Sequence, residues 1–380
     1  MRPGAHIKAG VEVLEEILGR HRPAAVALSD WGKSHRFAGS GDRAAIGNLV
    51  YDALRRKRSL AAQMGSDGPR AVILAAASRA LGISAADVIA AADGSAYAME
   101  PLTEDERAGL SRGLPSDTAA PVLGDFPDWL EPSLHRAFGE RAVVEAQALA
   151  LRAPVDLRVN TLKADRERVM KALARFSPSP TPFSPLGVRL RAPEGAGRNP
   201  NVENEAAHGK GWYEVQDEGS QIAALMAGAG PRQQVLDPRN AEALGDFEGK
   251  MDRVIVDAPC TGSGVWRRRP DAKWRLSPQM LEARLAEQRA VLDQAARLVN
   301  PGGRLLYITC SVLPSENRDQ VDALINRFPE FGIVPWAPLW EQAAFSAAPP
   351  QSADRSAETL LMTPRSFGTD GFFLSMLQRK

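Results

Sequence analysis

With 380 residues, 44% of them hydrophobic, the chain is long enough for two or three domains, each with its own core, and needs no staples to fold. Lysine and arginine number 47 against 46 aspartate and glutamate, a balance that excludes a histone-like polycation and confines any nucleic-acid contact to local basic patches. Two cysteines in that length exclude a disulfide framework, and neither lies in a C-x-x-C or Cys/His metal pattern.

The first ten residues carry no apolar stretch of signal-peptide type, and no run approaches the roughly 18 apolar residues a membrane helix requires. The expectation is a cytoplasmic protein with no membrane contact. Hydrophobic periodicity then predicts helices over 11–20, 24–37, 42–64, 69–81, 84–92 and 103–113. Ser84 with Asp87 and Thr103 with Glu106 have capping-box spacing, and Gly65, Gly82 and Gly94 sit where helices should stop. Within this all-α unit, Arg55-Arg56-Lys57-Arg58 reads either as a solvated helix end favoured by the dipole or as an RNA contact.

Residues 115–127, rich in Pro, Asp, Ser and Ala, read as a linker. A helix over 129–151, a strand over 155–160, a helix over 165–176 and a strand over 188–191 follow, one βαβ turn as in a ferredoxin-like module. Arg158, Asn160 and Lys163 punctuate its first strand and exit, either as exposed polar positions or as phosphate contacts. From Trp212 onward the pattern is helix 219–226, strand 234–237, strand 253–256, helix 278–299, strand 304–309 and helix 320–328, which argues a doubly wound parallel sheet.

The apolar runs ending at Asp257-Ala258-Pro259-Cys260 and at Thr309-Cys310-Ser311 look like strands buried on both faces. Ligands of open α/β sheets bind outside the carboxyl ends of the strands, so Asp257, Cys260 and Cys310 should converge there. A lone cysteine in such a place is most simply packing. Two of them, with Arg267, Arg268, Arg269 and Lys273 near enough in sequence to favour a thiolate, suit nucleophilic catalysis. No Ser/His/Asp elbow or HExxH motif competes. Residues 265–275 interleave five cations with Trp266 and Trp274, the mixture used for single-stranded nucleic acid; a solvated basic loop is the alternative, and the place just after Cys260 favours RNA.

These residues resemble the RsmB/Nop/Sun family of S-adenosylmethionine-dependent RNA (cytosine-5) methyltransferases. The resemblance rests on Asp257-Ala258-Pro259-Cys260-Thr261-Gly262-Ser263-Gly264, on Arg269-Pro270-Asp271 with Trp274, and on Tyr307-Ile308-Thr309-Cys310-Ser311 followed by Glu316-Asn317. It extends to the runs 157–163, 215–221 and 368–373 and covers the chain from about Phe126 onward. It implies a helical NusB-like domain over 1–115, a ferredoxin-like RNA-binding module over 126–205 and a Rossmann-like methyltransferase domain over 206–380. By the same resemblance Cys310 adds to carbon-6 of a cytosine, Cys260 assists breakdown of the adduct, and Asp257 lines the cofactor and base pocket. In DNA cytosine methyltransferases the Pro-Cys cysteine is the nucleophile, so exchanged roles stay open. The implied cofactor is S-adenosylmethionine, and the implied partner is RNA, ribosomal RNA first, held by Arg158, Asn160, Arg269 and Lys273 and bound by a monomer. An unstacked base accounts for single-stranded or looped substrate.

The sequence departs from the family in one place. After the strand expected at 234–237 the family carries a glycine-rich cofactor loop, whereas Asp237 is followed by Pro238-Arg239-Asn240-Ala241-Glu242. Only residues 238–252 separate the two expected strands, room for one parallel crossover and not for the helix-strand-helix-strand of the family, so the sheet should be shortened. Either a segment is missing relative to active members or the chain is a non-catalytic RNA-binding relative.

Overall fold

The computed structural model describes residues 1–230 and 241–380, so the strand expected at 234–237 lies outside the described residues. Helix Pro3–Arg20 opens on Pro3, which supplies the fixed φ of a first-turn position. Its buried face (Ile7, Val13, Leu14, Ile17) packs with helices Ser40–Arg55 and Pro69–Leu81 into one core that contains Leu49, Val50, Leu54, Ile73 and Leu74. Both capping boxes form as expected.

The single helix expected over 42–64 is two. Ser40–Arg55 ends and Lys57–Met64 begins across Arg56, whose φ of −124° is not helical. Asp125 is the cause: its carboxylate accepts the N–H groups of Arg58 and Ser59 at 2.9 Å each and the Ser59 hydroxyl at 2.7 Å, capping the second helix from 66 positions away. Asp125 is buried, Phe126 beside it is fully buried, and Ala120–Leu123 is helical, so the stretch expected to be a linker is packed against the helical unit.

The second unit is a four-stranded antiparallel sheet in the order β2-β3-β1-β4, with β1 Val155–Val159, β2 Ser179–Pro180, β3 Gly187–Leu190 and β4 Tyr213–Val215. β1 and β2, joined by helix Arg166–Ala172, lie parallel with β3 between them, the split βαβ of a ferredoxin-like fold. The strand expected at 188–191 is therefore the hairpin strand β3. The returning strand is the two-residue β2, hidden in a Pro/Ser-rich segment that reads as loop.

In the third unit β5 (Met251–Asp257), β6 (Val299–Thr309) and β7 (Phe331–Val334) run parallel, and β9 (Phe372–Arg379) inserts antiparallel between β6 and β7. β8 (Leu360–Met362) continues the line of β7 along the same edge of β9. The sheet is thus mixed. β6 is buried on both faces: Leu305 and Tyr307 join the core under helices Pro278–Leu298 and Arg318–Arg327, while Leu306 and Ile308 face helix Glu218–Met226 and Trp336. β5 is buried on one face only, since Val256 packs inward while Ile255 stays 52% exposed, against the expectation of a two-sided strand. Among the described residues β5 pairs with β6 alone.

Candidate active site

Register brings the two cysteines together. β5 pairs with β6 so that Asp257 lies opposite Ile308, and the Ala258 N–H donates to the Ile308 carbonyl at 3.0 Å, carrying the pairing one residue past the strand. Cys260 and Cys310 then leave adjacent parallel strands at the same end, and their Sγ atoms are 3.3 Å apart. Both are half-buried free thiols, reachable from outside without being loose on the surface.

The loops that carry them are tied from below. Glu316, fully buried, accepts the Thr261 N–H at 2.7 Å, the hydroxyls of Thr261 and Ser311, and Gln288 Nε2 at 3.0 Å. The same amide nitrogen of Gln288 donates to the Pro259 carbonyl at 2.9 Å. Asn317 bonds Thr309 Oγ1 and the Ser311 carbonyl, and Tyr307 donates its hydroxyl to the Glu316 carbonyl at 2.6 Å. The Gly264 N–H donates to the Cys310 carbonyl at 2.9 Å, and the Gly264 carbonyl accepts Gly371 N–H at 2.8 Å. A Cβ on Gly264 would stand 2.1 Å from the Gly371 oxygen, so only glycine allows this approach.

The thiols tune each other. The hydrogen bond between them pushes Cys260 well up from the usual thiol range, with burial adding to it, and the same bond lowers Cys310 against opposing burial. The nearby charges are Asp257 and Glu316, both of which disfavour a thiolate. The arginines expected to favour it are engaged elsewhere: Arg267 and Arg268 both pair with Asp370 and with Asp217. Asp257 stays exposed at the strand end, although the surrounding chain removes enough water to push its carboxyl up.

The basic segment 265–275 is a joint more than a solvent-facing loop. Arg267 is 3% exposed, and its backbone carbonyl accepts the Arg55 guanidinium at 2.8 Å. Lys273, expected to touch RNA, is 2% exposed; its Nζ donates to the Arg55 carbonyl at 3.2 Å and lies over the rings of Trp266 and Trp274. Trp274 Nε1 donates to the Leu54 carbonyl at 2.6 Å. The cluster Arg55-Arg56-Lys57-Arg58 is neither a solvated helix end nor an open RNA patch, because Arg55 meets Arg267 and Arg58 donates to the Phe126 carbonyl and to Asp128.

The other expected RNA contacts differ in what surrounds them. Arg269 is exposed beside the cysteine loop. Arg158 is half-buried on β1, with its Nε hydrogen-bonded to nothing among the described residues. Asn160 holds the turn after β1, donating to the Gly211 carbonyl at 3.0 Å and accepting the Leu162 N–H at 3.2 Å, which is the structural role of that residue. Sequence reasoning missed Gln288. Its only signal is a polar residue on the inward stripe of Pro278–Leu298, between Leu281 and Leu292.

Comparison with known proteins agrees with this architecture. Residues 233–378 match the family described as 16S rRNA methyltransferase RsmB/F, and residues 126–195 match the RsmF/B-like ferredoxin-like domain. The probable ribosomal RNA small subunit methyltransferase B of Synechocystis sp. is 26% identical over 311 residues, 67% of each chain. Such alignments span about two thirds of the curated relatives' length. Among solved structures, PH0851 superposes with a TM-score of 0.64 at 22% identity, covering 100% of this chain and 99% of that one. NSun6 from Pyrococcus horikoshii, solved with SFG, gives 0.55 at 18% identity over 68% of this chain and 99% of that one. With a helical unit, a ferredoxin-like module and a methyltransferase domain in that order, and two family models that together cover more than half of it, the chain belongs to the RsmB/Nop/Sun family.

Proposed function

We propose that the protein methylates carbon-5 of a cytosine in RNA, ribosomal RNA first, through a covalent cysteine adduct. The observation that carries the reading is the 3.3 Å approach of two reachable thiols at the ends of neighbouring parallel strands. Carbon-5 of cytosine is a weak nucleophile until a thiolate adds to carbon-6 and makes the ring enamine-like. Cys310, the thiol whose proton is the more easily lost, makes that bond. Cys260, which keeps its proton, stands within reach of the same ring. Once carbon-5 is substituted, its proton leaves to a base and the carbon–sulfur bond breaks, releasing the thiolate. Arg269, exposed nine residues after Cys260, is the cation this reading assigns to the RNA backbone.

S-adenosylmethionine is the donor implied by the family, and NSun6 was solved with SFG, an analogue of it. The residues present fit one end of it. In this reading Asp257 and the thiols meet the methyl donor and the base, but the described residues include neither a glycine-rich cradle nor a ribose-binding acid, and Ile255 on β5 is 52% exposed. That open face favours a second reading, an RNA-binding relative without methyl transfer. Incubating the protein with methyl-labelled S-adenosylmethionine and small-subunit ribosomal RNA decides between them. Label at carbon-5 of cytosine, lost in Cys310→Ala, is the expected result. RNA binding with neither label nor calorimetric heat on adding the cofactor would leave only the second reading.

A further inference from the structure

We propose that Glu316 is a positioning residue that holds Cys260 against Cys310 so that both thiols address one pyrimidine ring, an inference that rests on the covalent-adduct reading above. Glu316 ends the turn Pro314–Glu316 and is 0% exposed. Its four donors come from three residues, each tied to a cysteine loop. Thr261, which follows Cys260, gives its N–H at 2.7 Å and its hydroxyl; Ser311, which follows Cys310, gives its hydroxyl; Gln288, which also holds the carbonyl of Pro259, gives its amide at 3.0 Å. A carboxylate has about four lone-pair sites, so every one is used, and all of them are spent on the two loops. Five residues separate Glu316 from Ser311 and 55 from Thr261, so this one side chain closes the distance between two distant segments.

Stability alone gives a poor account of the arrangement. No lysine or arginine pairs with Glu316 among the described residues, and a buried carboxylate without a cation carries a desolvation cost that hydrogen bonds only offset. Its negative charge also opposes ionisation of both thiols, against the mutual hydrogen bond that lowers Cys310. A glutamine at the position could make every one of these bonds, because the two hydroxyls can reverse and accept from the amide. Alanine could make none.

The test reads thiol geometry in the free protein and then on RNA. Diamide takes two protons and two electrons from Cys260 and Cys310, becoming the hydrazine and leaving a disulfide between them. The parent protein should pair its thiols rapidly and within one chain. Glu316→Ala should pair them at least about tenfold more slowly, the loss expected when reacting atoms are misplaced by a fraction of an ångström to an ångström. Glu316→Gln should pair at close to the parental rate, with the thiol pH profile moved down because a negative charge has gone. Pairing in Glu316→Ala at the parental rate overturns the proposal, and so does a glutamine variant as slow as the alanine one. Where Glu316→Ala does not fold, Thr261→Val removes a single donor and must slow pairing in the same direction, or the proposal fails. With RNA carrying 5-fluorocytidine, a parent that pairs its thiols normally yet forms no adduct refutes the covalent-adduct reading and not the positioning. A parent that forms adduct beside an alanine variant with unaltered pairing refutes the positioning and not that reading.

Discussion

Gly264→Ala tests whether the cysteine loops depend on backbone contact with the C-terminal hairpin. The added Cβ would lie 2.1 Å from the Gly371 oxygen, 2.6 Å from its carbonyl carbon and 2.7 Å from its Cα, all backbone atoms with no side-chain freedom to yield. Restoring normal contact requires the two segments to separate by about 1 Å or more. That movement stretches the Gly371-to-Gly264 bond of 2.8 Å and threatens the Gly264-to-Cys310 bond of 2.9 Å. Each buried backbone group left without a partner costs about 1–3 kcal/mol, and overpacking adds about 1–3 kcal/mol, so a loss of about 3 kcal/mol or more is expected. Urea denaturation followed by tryptophan fluorescence is the assay, since Trp266 is buried two residues away. Gly332→Ala is the control, because a Cβ there meets nothing within 4 Å and should change stability by less than about 0.5 kcal/mol. Coincident midpoints for the two variants would refute the reasoning. Diamide pairing of the thiols should also slow in Gly264→Ala and not in Gly332→Ala.

Cys310→Ala should abolish transfer, whereas Cys260→Ala should accumulate an adduct with RNA that survives denaturation; the opposite pattern on a denaturing gel would exchange the two roles. Arg267→Ala should cost about 3–5 kcal/mol in chemical denaturation, because it leaves Asp370 and Asp217 buried with only Arg268 to answer them. Burial pushes Lys273 from 10.5 down to about 8, so between those pH values the unfolded chain binds a proton that the folded one does not. This group's contribution to stability therefore rises with pH from about 8 to 10.5 and is flat below 8, and Lys273→Met should remove that rise in a pH series of unfolding midpoints. Arg269→Ala should weaken RNA binding and reduce the salt slope of log K by about 1, while Lys273→Met should leave the slope unchanged.

What the sequence discloses and what it hides follow from how far each residue's partner lies along the chain. Capping boxes span three residues, so Ser84 with Asp87 and Thr103 with Glu106 are legible without tertiary information. The convergence of Cys260 and Cys310 is legible because both sit just past the ends of apolar strands, and parallel neighbours deliver their ends to the same rim. Lys273 and the Arg55–Arg58 cluster are not legible, since exposure is the prior for a charge and only the fold supplies the carbonyls and rings that bury these. Strand β2 fails for another reason: two residues in a Pro/Ser-rich loop carry no period at all.

The charged motif residues make the same point about function. Asp217 and Asp370 belong to two of the runs that the family resemblance singles out, and Arg267 and Arg268 lie between two more, with Arg267 50 positions after Asp217 and 103 before Asp370. In the fold they form one ion cluster around the buried Arg267 and Asp370, with the Asp370 N–H donating to Asp217 at 3.1 Å. It fastens the start of helix Glu218–Met226, the loop after Cys260 and the turn before β9 to one another. Asp217 also receives the Gly219 N–H, and Glu218 beside it accepts the N–H groups of Phe183 and Ser184 from the ferredoxin-like module. Motif membership therefore marks two kinds of residue here. The proposed chemistry belongs to the thiols, and the charges around them are spent on one another, which is why Arg267 and Arg268 do not act on the Cys260 sulfur and why the thiol pair must set its own proton affinity.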